Sequence, residues 1–188
     1  MKNASLGEAA RVLRDGGVVL APTETVVGLI SSEAGLPRIR EIKGRDARKA
    51  IALLCSSPEE AFAMAQNVST LAWRLADLYW PGSLTLVLDA PEGGTVGVRV
   101  PDQATVQDLL AAYGEPFYAT SANLSGQLAV ASLEEVDPRV SGAVEFILDG
   151  EPGNGKASAV VDLSRGAIRL LRASDVLTEE TLQRLSMK

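Results

Sequence analysis

The sequence contains no histidine and only one cysteine in 188 residues. The absence of histidine excludes Ser-His-Asp and Cys-His catalysis, histidine general bases and the usual zinc sites. A lone cysteine, Cys55, cannot form an intramolecular disulfide, so we expect a cytoplasmic location. Long apolar runs are also missing, which argues against a membrane span or a signal peptide. Any chemistry must therefore use carboxylates, hydroxyls, lysine and arginine, backbone amides or a Mg²⁺ ion.

Positive charge is in the minority, with 18 Lys and Arg against 24 Asp and Glu and a net charge of −6. A uniformly basic surface for nucleic acid is therefore not expected, whereas a local cationic cleft is compatible with this charge. The length suits one well-buried domain and is short for two. We therefore expect residues 1–188 to form a single domain.

Short apolar runs and amphipathic stretches are interleaved without strict alternation. Strands are predicted at 18–21, 25–30, 51–54, 84–88, 96–100, 117–120, 144–148, 159–163 and 168–171. Helices are predicted at 5–14, 37–44, from 57 onward, and at 69–79, 105–113, 132–136 and 178–185. Because adjacent strands occur within 84–100 and 144–171, the pattern favours an α/β (α+β) fold. Its sheet is expected to be mixed and twisted with helices packed on it, not purely parallel.

Two polar segments directly follow predicted strands, where open α/β sheets commonly place a ligand crevice. The segment 22–29 carries Thr23, Glu24 and Thr25, whose hydroxyls suit a small polar substrate, although a capped turn explains the same residues. The segment 119–126 carries Ser121 and Asn123, which suit an anion-binding nest or simple helix capping.

Cationic side chains concentrate between residues 38 and 49. Lys43 and Arg45 flank Gly44, where the predicted helix ends, so both can project into a cleft and bind phosphate or carboxylate. A solvated helix face is the alternative. Farther along, Arg99 lies in a β-branched strand, where it either pairs with an anion or faces outward.

Three other features are assigned structural roles. The segment 80–85 is interpreted as a rigid turn with a packed tryptophan, and Cys55 as a small buried hydrophobe. The segment Gly150–Lys156 matches the G-x-x-x-x-G-K part of a phosphate-binding loop. However, Ala157 replaces the hydroxyl that ligates Mg²⁺, and a strand-like run follows where the motif requires a helix. We therefore reject it as a phosphate loop.

Seven segments occur in an order that resembles the YrdC-type threonylcarbamoyl-AMP synthases over nearly the whole chain. They are Pro22–Leu29, Lys43–Arg45, Trp80–Thr85, Val98–Pro101, Thr120–Gly126, Ser158–Asp162 and Leu171–Arg172. The length matches the short bacterial form, which lacks an extra C-terminal domain. The resemblance implies a YrdC-like twisted sheet with a concave cationic cleft.

The resemblance further implies synthesis of L-threonylcarbamoyladenylate from ATP, L-threonine and bicarbonate or CO₂, with release of pyrophosphate, for N6-threonylcarbamoyladenosine in tRNA. It assigns Lys43 and Arg45 as catalytic, and Thr23 and Arg45 as threonine-binding. The ATP and phosphate set is Lys43, Arg45, Arg99, Ser121, Asn123, Ser158 and Arg172. Mg²⁺ is expected to arrive with ATP. Direct contact with tRNA and hand-over of the product to a tRNA threonylcarbamoyltransferase are also implied.

The sequence departs from the family pattern at four places. Val27 replaces a tyrosine, Ala50 a proline and Ala159 a threonine, and Ala173-Ser174 stand where a glycine is usual. A diverged ATP-binding regulatory paralogue therefore stays open as an alternative. So does an RNA-binding module without threonine chemistry, although the acidic net charge disfavours it.

Overall fold

The computed structural model describes residues 2–44 and 51–187. Its helices are α1 (Lys2–Arg14), α2 (Leu36–Lys43), α3 (Pro58–Ala63), α4 (Thr70–Tyr79), α5 (Ala104–Tyr113), α6 (Pro138–Ser141) and α7 (Glu179–Ser186). Its strands are β1 (Val18–Pro22), β2 (Val27–Ser31), β3 (Ala52–Leu54), β4 (Leu84–Asp89), β5 (Thr95–Arg99), β6 (Phe117–Ser121), β7 (Phe146–Ile147), β8 (Ala159–Asp162) and β9 (Arg169–Arg172). The predicted order of elements is confirmed, while α6 was not predicted.

The strands form one sheet in the order β7-β1-β2-β6-β3-β5-β4-β8-β9. The chain neighbours β1 and β2, β4 and β5, and β8 and β9 pair antiparallel, whereas β3 with β5 and β4 with β8 pair parallel. The expected mixed sheet is therefore confirmed. This order places β6 between β2 and β3, and β4 between β5 and β8, so neighbouring strands come from distant parts of the chain.

Helix ends follow local sequence signals. Helix α2 carries Pro37 in its first turn and ends at Gly44, whose φ of 57° is left-handed. Helix α3 is capped by Ser57, whose hydroxyl accepts a hydrogen bond from the Glu60 N–H at 3.2 Å. Ser69 caps α4 in the same way, through the Ala72 N–H at 3.2 Å. The left-handed Gly44 therefore ends α2 directly after Lys43.

Two predicted elements are shorter than expected. Only Phe146–Ile147 pair with β1 within the predicted strand 144–148, and next to them the Val18 N–H donates to the Glu145 carboxylate at 2.7 Å. The predicted helix 132–136 is a single 3₁₀ turn, Leu133–Glu135, which Ser132 and Glu135 close as a capping box.

The core consists of apolar clusters on both sides of the sheet. On one side of the β1–β2 hairpin, Val27 and Leu29 pack with Ile39 of α2. On the other side, Ile30 and Ala21 pack with Leu13 of α1. Burial on both sides holds the hairpin, and with it the turn between its strands. None of the helices within the described ranges has the length and apolar character needed to cross a bilayer.

Candidate active site

A cavity of about 520 Å³ lies over the face of the sheet. The predicted site residues that line it are Thr23, Lys43, Arg99, Ser121, Asn123, Ser158 and Arg172. Every predicted site residue that the structure describes therefore faces one space. Arg45 lies outside the described residues.

The cavity extends across the middle of the strands, not only along their ends. Its floor includes Gly28, Ala52, Gly97 and Ala119, which belong to four different strands. Small residues in central strands leave room where larger side chains would fill the space, and a strand glycine often marks close approach of a ligand. Sequence reasoning missed this floor, although glycine and alanine at strand centres were a usable signal.

The turn that joins β1 to β2, residues 23–26, is closed by the hydroxyl of Thr23. That hydroxyl donates to the Val26 carbonyl at 2.7 Å, accepts from the N–H of Thr25 at 3.2 Å, and lies 2.9 Å from the Thr25 hydroxyl. The capped-turn interpretation of this segment is therefore correct. The residues Thr23, Thr25 and Val26 nevertheless line the cavity, so the turn is also a wall of the site.

Arg99 is buried at the end of β5 and pairs with Glu24 of the 23–26 turn. Its guanidinium donates to the Glu24 carboxylate at 2.6 Å, and the two side chains are only 9% and 15% exposed. It also donates to the Gly82 carbonyl at 3.0 Å and to the Thr25 hydroxyl at 3.2 Å. The expectation of an anion partner for Arg99 is correct, and the outward-facing alternative is wrong.

Lys43 is buried at the end of α2 and holds the segment that follows β6. Its ammonium donates to the carbonyl oxygen of Ser121, to the Asn123 carbonyl at 2.7 Å and to the Asn123 side-chain oxygen at 3.1 Å. The Lys43 carbonyl in turn accepts from the Ser125 N–H at 3.0 Å. Lys43 therefore lines the cavity and also fixes the position of Ser121 and Asn123.

The opposite wall is built by the start of β8 and the end of β9. Arg172 donates to the Ser158 carbonyl at 2.6 Å and to the Ser158 hydroxyl at 3.1 Å. The Ser158 hydroxyl also lies 3.1 Å from that of Thr85, a buried residue of β4. The Trp80–Thr85 segment, interpreted from the sequence as a rigid turn, therefore also contributes Thr85 to the lining of the cavity.

The cavity is cationic. Among the described residues that line it there is no Asp or Glu, whereas Lys43, Arg99 and Arg172 are present. Burial lowers the pKa of Arg172 below its ordinary value, and the positive charge of Arg99 lowers it further. Arginine nevertheless stays protonated at neutral pH. The arrangement is therefore suited to an anion that interacts with more than one of these cations.

Other predicted features have structural roles. Trp80 is buried, and its indole N–H donates to the Leu84 carbonyl at 2.7 Å, as the packed-turn interpretation requires. Cys55 is fully buried, and burial raises the pKa of its thiol to about 12. Two residues of the cationic stretch have different surroundings. Arg38 pairs with Glu41 at 2.8 Å on the surface, whereas Lys43 is buried.

Two of the departures from the family pattern lie away from the cavity. Val27 and Ala159 are fully buried in apolar clusters and do not line it. Their side chains pack into the core, because neighbours along the strand alternate between faces. The missing threonine hydroxyl at position 159 therefore does not leave a gap in the cavity wall. Ala50 lies in the part of the chain that is not described.

The rejected phosphate-loop motif, residues 150–156, packs against the 23–26 turn. The N–H groups of Asn154 and Gly155 donate to the carbonyls of Glu24 and Thr25 at 3.0 and 2.8 Å. Strand β8 follows, as expected. These amides are already bonded to protein, so the rejection agrees with the geometry.

Comparison with known proteins gives the family. The sequence profile of Sua5/YciO/YrdC proteins, described as "Telomere recombination", matches residues 11–174. The chain belongs to this family. It is 37% identical to the threonylcarbamoyl-AMP synthase of Pyrococcus abyssi over an alignment of 185 positions, which covers 92% of this chain and 54% of that protein. It is 34% identical to the protein of the same name from Stenotrophomonas maltophilia, over 81% of this chain and 90% of that one.

The solved structures agree with this membership. The crystal structure of P. abyssi Sua5 complexed with L-threonine matches with a TM-score of 0.87 at 33% identity. The match covers 96% of this chain and 56% of that one. The chain therefore spans about half the length of the P. abyssi relative and nearly all of the bacterial one. The expected family and fold are confirmed, whereas the roles of individual residues stay predictions.

Proposed function

We propose that this member of the Sua5/YciO/YrdC family makes L-threonylcarbamoyladenylate from ATP, L-threonine and bicarbonate or CO₂, with release of pyrophosphate. The observation that carries the proposal is the single cavity in which Lys43, Arg99 and Arg172 face small hydroxyl and amide side chains. Its relatives named threonylcarbamoyl-AMP synthase support the same reaction.

The chemistry explains why the cavity is cationic. The threonine amine takes up CO₂ to form a carbamate and releases a proton. A carbamate oxygen then attacks the α-phosphorus of ATP, and the bond to the β-phosphate breaks as pyrophosphate leaves. Both reacting groups are negatively charged, so fixed cations must offset their repulsion. No protein nucleophile or histidine is required, which agrees with the sequence.

The walls suggest where each substrate lies. We assign threonine to the side of the 23–26 turn, near Thr23 and with Arg45 as its carboxylate partner. Because the Thr23 hydroxyl is bonded within the turn, we expect Thr23 to act mainly by shaping that wall. We assign the phosphates and ribose of ATP to Ser121, Asn123, Ser158 and Arg172, with Lys43 and Arg99 between the two ends.

Mg²⁺ is treated as part of the ATP substrate. The described lining offers no carboxylate, and no cluster of three or more acidic or thiol side chains suited to a metal occurs in residues 2–44 and 51–187. The residues therefore do not fit a resident metal site. We propose that the ion is bound through phosphate oxygens and water, as Mg²⁺ commonly is.

The wider role is also a proposal. We infer that residues 1–188 act as a single domain in the cytoplasm, and that the product serves N6-threonylcarbamoyladenosine formation in tRNA. Direct contact with tRNA and transient hand-over to a tRNA threonylcarbamoyltransferase would protect a labile product from water. The acidic net charge of −6 favours a brief contact over tight RNA binding.

One assay separates the proposed enzyme from its alternatives. The purified chain is incubated with ATP, L-threonine, bicarbonate and Mg²⁺, and pyrophosphate is measured with and without threonine. Threonine-dependent pyrophosphate supports the enzyme. ATP binding without turnover indicates the regulatory paralogue, and salt-sensitive tRNA binding without either indicates the RNA-binding module.

Variants of the two predicted catalytic cations test the site. Lys43→Ala and Arg45→Ala are each expected to abolish threonine-dependent pyrophosphate release. Lys43→Ala also removes a charged donor from the Ser121 and Asn123 carbonyls, so it should lower the free energy of unfolding by about 2 kcal/mol. Arg11→Ala, on the exposed surface of α1, is the matched control and should retain wild-type turnover. Near-normal turnover in both variants would remove Lys43 and Arg45 from the site.

A further inference from the structure

The loop of residues 150–156 is tied to the back of the 23–26 turn. The N–H groups of Asn154 and Gly155 donate to the carbonyls of Glu24 and Thr25 at 3.0 and 2.8 Å. The loop itself is held by the Gly153 N–H, which donates to the Ala131 carbonyl at 3.1 Å. Two carbonyls of the turn therefore depend on this loop for their hydrogen bonds.

Gly153 is the point of closest approach between the loop and the turn. A Cβ atom at this position would lie 2.5 Å from the carbonyl oxygens of Thr23 and Thr25, and 2.6 Å from the carbonyl carbon of Thr25. Carbon atoms at such distances overlap strongly. Because the opposing atoms belong to the backbone, no side chain can rotate away to make room. Only glycine allows the loop to pack here.

We propose that Gly153 is a positioning residue for the L-threonine end of the site, and that the 150–156 loop holds the 23–26 turn in place through backbone contacts. The inference rests on the proposed function. The inference also explains the glycine-rich motif of residues 150–156. Backbone N–H groups that would bind a phosphate in a phosphate loop bind carbonyls of the 23–26 turn here.

The route from Gly153 to the cavity is short. The turn that the loop holds places Thr23, Thr25 and Val26 in the cavity wall. The same turn carries Glu24, whose carboxylate fixes the guanidinium of Arg99 at 2.6 Å. Displacing the loop therefore moves the threonine wall first. On the proposed ATP side, Ser158 and Arg172 hydrogen-bond to each other at 2.6 and 3.1 Å.

The test is Gly153→Ala, assayed for the KM of each substrate and for amide hydrogen exchange. We expect at least a tenfold rise in the KM for threonine, and a change in the KM for ATP at least threefold smaller than that. Without any substrate, the amides of Asn154 and Gly155 should exchange at least tenfold faster than in the wild type. A general loss of structure would instead raise exchange throughout the chain.

Two other variants of the loop sharpen the test. Asn154→Ala keeps the backbone N–H that reaches Glu24, so the KM for threonine should change less than twofold. Gly150→Ala brings a Cβ atom 2.8 Å from the Thr105 hydroxyl and 3.0 Å from Cγ of Pro22. This contact is with side chains, so an intermediate rise is expected. Adding Thr105→Ala should restore part of the wild-type KM. If Gly153→Ala does not fold, Gly150→Ala carries the test.

The outcomes distinguish this inference from the proposed function. A wild-type chain without threonine-dependent turnover would overturn the proposed function, while amide exchange would still test whether the loop holds the turn. With an active wild type, an unchanged threonine KM in Gly153→Ala or, if that variant does not fold, in Gly150→Ala would overturn the positioning role. An equal rise in both KM values would do the same.

Discussion

Arg99 and Arg172 line the same cavity, but their charges are balanced in different ways. Arg99 is buried against the carboxylate of Glu24 at 2.6 Å. Arg172 is held by the carbonyl and hydroxyl of Ser158, and no carboxylate among residues 2–44 and 51–187 forms a salt bridge with it. The charge of Arg99 is compensated by a carboxylate, whereas within the described part of the chain the charge of Arg172 is compensated by dipoles.

The difference separates a structural cation from one available to a substrate. A guanidinium that already shares a carboxylate gains little from a second anion, because the pair is nearly neutral. A guanidinium that is oriented by neutral oxygens keeps its charge, and the partial burial that lowers its pKa also strengthens its attraction to an incoming anion. We therefore expect Arg99 to support the architecture of the site, and Arg172 to contact phosphate more directly.

Breaking the compensated pair should have the largest effect on stability. Glu24→Gln leaves the buried guanidinium of Arg99 without its counter-charge, and such losses cost about 3 kcal/mol. Chemical denaturation of the variant and the wild type measures the difference. Glu92→Gln, on an exposed turn, is the control and should change the free energy of unfolding by less than about 0.5 kcal/mol.

A double variant makes this prediction more specific. Glu24→Gln combined with Arg99→Met removes both charges, so its cost should be smaller than the sum of the two single costs. Additive costs would show that the 2.6 Å contact does not couple the two residues.

Removing the uncompensated cation should affect activity more than stability. Arg172→Gln is expected to lower kcat/KM for ATP by roughly 10- to 100-fold, which corresponds to one charged hydrogen bond of about 1.5–3 kcal/mol. The melting temperature should stay within about 3 °C of the wild type, because no buried carboxylate loses its partner. Arg11→Gln, outside the cavity, is the matched control. Wild-type kinetics in Arg172→Gln would contradict the comparison.

Local features of this fold were predictable, but the partners of the site residues were not. The helix starts near Ser57 and Ser69 and the helix end at Gly44 are encoded within a few residues, so sequence reasoning placed them correctly. The pairing of Glu24 with Arg99 joins residues that are 75 positions apart. An arginine in a strand indicated that some anion was needed, but only the sheet order identifies which one.

The cavity itself was predicted through resemblance, and its inner structure was not. The order of motifs placed Ser158 and Arg172 in one site, where the structure also places them. It did not reveal that Val27 and Ala159 face the core, because the face of a strand residue depends on register with its neighbours. Nor did it reveal the role of Gly153, whose constraint comes from a backbone that is distant in sequence.

Cys55 is a third buried ionisable group, which is kept neutral by burial and not by a counter-charge. We expect its substitution to have the smallest effect on activity. Burial, assisted by the negative charge of Glu60, raises the pKa of the thiol from 9.0 to about 12. The native state therefore holds this proton more tightly than the unfolded state does. Its contribution to stability is complete below pH 9 and is lost as the pH rises toward about 12.

The measurement is alkylation of Cys55 by iodoacetamide at pH 8. Iodoacetamide reacts with the thiolate, and a pKa of about 12 leaves very little of the native thiol ionised at pH 8. Labelling should therefore be slow in the native protein and fast in denaturant, while Cys55→Ala should keep threonine-dependent turnover. Rapid labelling before unfolding would show that the strand end at Cys55 opens, and that burial alone does not keep this group neutral.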